Sequence, residues 1–89
     1  MAVDWEKLKK THLIFVDIHY DGAKVSASGW WADHLGCFVF HHKSDIFYYH
    51  SDTNELYHCL DLWYLYRIRE IGHCSKIKDF KIQVKKVVK

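Results

Sequence analysis

Residues 52–72, DTNELYHCLDLWYLYRIREIG, set the fold class, because they carry the signals of a long helix. Asp52-Thr53-Asn54-Glu55 has the D-x-x-E form of a capping box, and Gly72 stands where a C-cap glycine belongs. Between them Leu56, Leu60, Trp63, Tyr64, Ile68 and Ile71 recur at i, i+3/i+4 spacing, one apolar stripe. Cys59, Leu62, Leu65 and Tyr66 fall off that stripe, so the helix is apolar most of the way round. Such a helix normally has more than one face covered.

Upstream, two hairpins are expected. His12–Tyr20 and Ala23–Trp31 flank Asp21-Gly22, which suits a two-residue type I′ turn with both central residues at positive φ. That turn pairs Tyr20 with Ala23, Ile18 with Val25, Val16 with Ala27 and Ile14 with Gly29, an apolar or small row fit for a core. The other face carries His19 opposite Lys24, Asp17 opposite Ser26 and Phe15 opposite Ser28. Cys37–His42 and Asp45–His50 surround Lys43-Ser44 and pair Phe40 with Phe47 and Phe38 with Tyr49 inward. Val39 with Tyr48, and His41 with Ile46, then lie outward.

Downstream, Ile77–Val88 alternates Phe80, Ile82 and Val84 with Lys81, Gln83 and Lys85, the pattern of a half-buried strand. Its lysines are the usual guard of a sheet edge. At the start, Val3–Lys10 is expected to form two helical turns with Asp4 as N-cap and Trp5 and Leu8 inward. The expected fold is therefore α+β, in β-β-β-β-α-β order. A four- to five-stranded antiparallel sheet, with a short N-terminal helix, packs on one long helix. Residues 1–89 read as a single domain.

Nearly half the residues (49%) are hydrophobic and 17% are aromatic, enough for a dense core in so short a chain. No apolar run reaches the ~18 residues of a membrane span, and Met1–Lys10 is too polar for a secretion signal. Cys37, Cys59 and Cys74 are accordingly expected as reduced thiols of a cytoplasmic protein.

The residues that could carry chemistry give little direction. Eight histidines invite a zinc reading, but there is no C-x-x-C and no H-x-x-x-H on a helix. Cys37 with His50 is the best pair and lacks a third and fourth ligand, so neither metal nor cofactor is expected. His19 with Asp17, and His58 with Asp61, are the candidate acid–base pairs. No G-x-S-x-G elbow or phosphate-cradling glycine loop accompanies them, and no catalytic residue is assigned.

The leading expectation is a small non-enzymatic binding protein of the inhibitor, immunity or phage-accessory type, self-associating or docking on a protein partner. Its anchors are Trp30, Trp31, Tyr48, Leu62, Leu65 and Tyr66, large apolar side chains beyond the needs of one sheet–helix core. The alternative is a nucleic-acid-binding module. Residues 76–89 hold six lysines and one aspartate, while residues 1–75 hold seven basic and ten acidic residues. Lys78, Lys81, Lys85 and Lys86 are the phosphate contacts of that reading. A His-dependent small nuclease or metal-binding protein comes third.

Overall fold

The computed structural model describes residues 3–61 and 71–89. After a short helix, α1 (Trp5–Leu8), come β1 (Leu13–Tyr20), β2 (Ala23–Ala32), β3 (Cys37–His42), β4 (Asp45–His50), β5 (Glu55–Asp61), β6 (Ile71–Ile77) and β7 (Phe80–Val88). All belong to one antiparallel sheet in the order β6-β5-β4-β3-β2-β1-β7.

The expected hairpin registers are those observed. Tyr20 faces Ala23 and Ile14 faces Gly29 across the first turn, where Asp21 and Gly22 take φ of 48° and 74°. Phe40 faces Phe47 and Phe38 faces Tyr49 in the second hairpin. The N-terminal helix is present but shorter than expected, one turn of four residues rather than two turns, with the Asp4 carboxylate accepting from the Lys7 N–H at 3.4 Å. Trp5 and Leu8 pack on the core, the Trp5 ring 5.0 Å from that of Phe38.

The long helix is not there. Glu55–Asp61 and Ile71–Ile77 are strands, and no helix of seven or more residues occurs among the described residues. The fold is nearly all antiparallel sheet, not a sheet packed on a helix. Expected helix positions 62–70, Leu62, Leu65 and Tyr66 among them, lie outside the described residues. Two local causes are visible. The expected capping box is a turn, in which Asn54 sits at φ 55° and the Asp52 carboxylate accepts from the Thr53 N–H at 3.0 Å. Asp, Thr and Asn serve turns and caps by the same side-chain-to-backbone bonding. Then Leu56 and Cys59 point to opposite faces of β5 and both are buried. A strand covered on both sides looks apolar all round, as a buried helix does.

The order of strands has a strong geometric consequence. β6 and β7 are the two ends of the sheet, yet only Lys78 and Asp79 separate them in sequence. In a flat sheet seven strands at ~4.8 Å spacing would hold those ends ~29 Å apart. A span of three peptide units reaches only ~11 Å. The sheet must therefore roll until its edges approach, giving a small barrel in which the Lys78-Asp79 bend carries the chain from one edge to the other. Side chains meet across its interior: Tyr49 lies 6.0 Å from Phe80, and Tyr20 lies 5.8 Å from Phe47, ring to ring. Ile14, Val16, Ile18, Phe38, Phe40, Phe47 and Leu56 fill the interior, each no more than 1% exposed. Each such side chain contributes about 1.5–3 kcal/mol on full burial.

A second, smaller cluster of Ala32, Cys37, Val39, Ile46 and Cys59 lies on the outer face against Tyr48. Cys59 is bonded there to Cys74, directly opposite on β6, which corrects the expectation of three free thiols. Cys37 stays free and buried, its thiol pushed up by that burial.

Gly29 marks a close approach of β2 and β3. A Cβ at this position would coincide with the carbonyl of Val39 on β3. Gly29→Ala must push β2 off β3, with a cost at or beyond the ~1–3 kcal/mol of ordinary overpacking. Gly22→Ala meets open space and only the positive-φ penalty of about 1 kcal/mol. Thermal melts should rank Gly29→Ala well below Gly22→Ala; equal midpoints would show that β2 and β3 do not approach so closely. The Cys59–Cys74 bond closes a loop of sequence separation 15, for which chain entropy gives about 3 kcal/mol. Reductant should lower the melting temperature of the native protein and leave a Cys59→Ala/Cys74→Ala variant unmoved.

Candidate functional site

The outer face over β7, β1, β2 and β3 is built by the same alternation that fills the barrel. On β1 it presents Phe15, Asp17 and His19, opposite Ser28, Ser26 and Lys24 of β2. On the other side of β1 it is met by Lys86, Gln83 and Lys81 of β7. The register slips between Phe15 and Val16, which face Lys86 and Val84, so Lys85 is an extra residue in β7. That bulge turns Lys85 outward beside Lys86, and its Nζ lies 3.3 Å from Asp17 Oδ2.

The result is a groove of about 440 Å³ running over β2. Its floor is low because Ser26 and Ser28 are small. One wall is Phe15 with Lys85, the other His41 with Lys43. Trp30, 47% exposed, stands beside it with its ring 5.9 Å from that of His41. Phe15 is 36% exposed on the same face.

Asp17 is the buried charge of this groove, only 5% exposed. The Ser26 hydroxyl donates to its Oδ1 at 2.8 Å. That bond, more than any other influence, holds its carboxyl below the usual range; burial works the other way, and Lys85 and Lys24 assist the lowering. Lys85 and Lys24 act on this carboxylate, Lys43 lines the same groove, and Lys81 and Lys86 lie on the same face opposite His19 and Phe15, so the face is rich in cations.

The expected site residues divide sharply. Trp30 and Tyr48 are on the outer face, Trp30 exposed and Tyr48 half-buried. Trp31 turns inward, its ring 5.0 Å from Phe38, with Lys9 Nζ 4.2 Å from its centre. Lys81, Lys85 and Lys86 line the outer side of β7, and Lys78 is exposed at the β6–β7 corner. His19 shares the face of Asp17, whose carboxylate is engaged by Ser26 and Lys85.

The expected partner of His58, Asp61, has its side chain outside the described residues, and His58 meets a different carboxylate. It points into the barrel end, 4.9 Å from the Phe47 ring, and its Nε2 lies 2.8 Å from Asp45 Oδ1 on the neighbouring strand. Tyr20 completes this polar-tipped aromatic cage, its hydroxyl pushed up by burial and by the nearby Asp45. The Asp45–His58 pair was hidden in the sequence because it depends on a β4–β5 register that a helix forbids. Cys37 packs as a small apolar side chain in the outer cluster. Among the described residues no three His, Cys, Asp or Glu converge as a metal site would require.

Comparison with protein-family models, curated proteins and solved structures finds no match to this chain.

The lowered Asp17 carboxyl makes its stabilising bond pH-dependent. A depressed pKa contributes stability fully above the unfolded value of ~3.9 and loses it as pH falls through the folded value. The gap in melting temperature between the native protein and Ser26→Ala should therefore stay constant from pH 7 to about 5 and narrow below pH 4. A gap that persists at pH 2 would assign the effect to packing.

Proposed function

We propose that this is a non-enzymatic binding protein whose β7–β1–β2–β3 outer face takes a single-stranded nucleic acid. The observation that carries this reading is Phe15, an exposed ring set between Lys86 of β7 and Ser28 of β2 with Lys85 beside it. Phosphates need cations spaced along a groove, and unpaired bases need flat side chains to stack on. Phe15, Trp30 and His41 supply the second, and the lysines of β7 with Lys24 and Lys43 supply the first. A duplex keeps its bases stacked and hidden, so these three rings favour a single strand. Such a ligand keeps the cytoplasm as the proposed place of work. The Cys59–Cys74 bond would there face a reducing thiol pool.

The expectation of self-association drew on a helix apolar on more than one side, and that ground has gone. A protein partner seated on Trp30 and Tyr48 is the second reading, supported by the outer apolar cluster beside Tyr48.

Fluorescence anisotropy of a labelled oligothymidylate tests the choice. Binding should weaken as salt rises, with a log–log slope near −0.7 per phosphate contacted. Lys81→Gln/Lys85→Gln/Lys86→Gln should abolish it. Phe15→Ala and Trp30→Ala should each cost about 1–3 kcal/mol while leaving the salt slope unchanged. Absence of binding at low salt, or binding that survives the triple change at high salt, would overturn the reading.

A further inference from the structure

A carboxylate, even one paired with a lysine, adds nothing to the holding of a phosphate backbone. Asp17 nevertheless lies on the floor of the groove between Phe15 and the serines, nearly enclosed. We propose that Asp17 reads a base and selects guanine over the other bases of a bound strand, an inference that rests on the nucleic-acid reading above.

The geometry leaves the carboxylate half occupied. A carboxylate has about four acceptor positions on its two oxygens. Ser26 takes one on Oδ1 and Lys85 approaches Oδ2, so each oxygen keeps a lone pair. A donor pair presented side by side fits both at once, as a bidentate partner does. Guanine offers that pair on its Watson–Crick edge, N1–H and the 2-amino group. Thymine and uracil offer one N–H flanked by two carbonyl oxygens, which a carboxylate repels. Adenine and cytosine offer an amino group next to a bare ring nitrogen, again repulsive to the second oxygen. The neighbouring rings fit the same pose. A base stacked on Phe15 extends its edge over the strand toward Asp17, two residues along the same face. Lys85 is half exposed and adjacent to both carboxylate and groove mouth, so its ammonium can also meet the phosphate of that nucleotide.

The probes are three labelled octamers read by anisotropy at low salt: all-thymidine, the same with two central guanosines, and the same with two central inosines. Inosine keeps N1–H and lacks the 2-amino group. The native protein should bind the guanosine octamer about tenfold more tightly than the thymidine one, the size expected of one good bidentate contact. Inosine should lose most of that advantage. Asp17→Asn, whose amide oxygen still accepts from Ser26, should bind all three alike. Equal affinity of the native protein for the three octamers would overturn the guanine selection while leaving the nucleic-acid reading intact. So would a guanosine preference that survives Asp17→Asn. Failure to bind any of them would overturn both. The comparison among the three octamers uses native protein alone and does not depend on how well the variant folds.

Discussion

The two-residue passage through Lys78 and Asp79 constrains everything around it. Because it joins strands at opposite ends of the sheet, the sheet cannot lie flat, and its inner face becomes an enclosed core. Enclosure explains why side chains as distant in sequence as Tyr20 and Phe47, or Tyr49 and Phe80, share one interior. It also explains the tight β2–β3 approach at Gly29, since a closing sheet concentrates its bending at positions without a Cβ. The short helix α1 delivers Trp5 against Phe38 and Tyr49 and so adds one more aromatic side chain to that core.

Where turn chemistry and alternation are both local, the sequence was readable in detail. Asp21-Gly22 fixes a register, and with it the inward row from Ile14 to Tyr20 and the outward row of Phe15, Asp17 and His19. The failure over 52–72 is equally physical. Leu56 and Leu60 are four residues apart, a spacing that satisfies both a helix face and a strand face. Asp52 and Thr53 bond backbone groups in caps and turns alike. What separates the two cases is a partner strand on each side, β4 and β6, and pairing of that kind is a long-range fact. The final segment was similarly half legible. Its alternation announced a strand, yet nothing local says that Ile77 belongs beside Leu56 while Phe80 belongs beside Tyr20.

The candidate site follows the same division. The lysines of β7 and the serines of β2 were visible as outward positions, and the first hairpin already set Phe15 opposite Ser28. Their meeting in one groove needed β7 to dock on β1 and β3 on β2. The Asp45–His58 pair needed β5 to be a strand at all. Electrostatics then discriminate among the outer surfaces. The β1–β7 side concentrates cations around one neutralised carboxylate. Farther round, Glu55 accepts from Lys76 at 2.9 Å, and that ion pair spends both charges on each other.

The bulge at Lys85 places a seam in the molecule. Before it, even-numbered residues of β7 enter the barrel; after it, Val87 faces the buried Ile14, and the parity has changed. Removing one residue at the seam would leave an unbroken in-and-out rhythm, so the core has no need of Lys85. The side chain that reaches Asp17 is thus the one the barrel can gain or lose without repacking. A chain shorter by that one residue would lose a charge from the groove while Val84 and Val87 kept their inward phase.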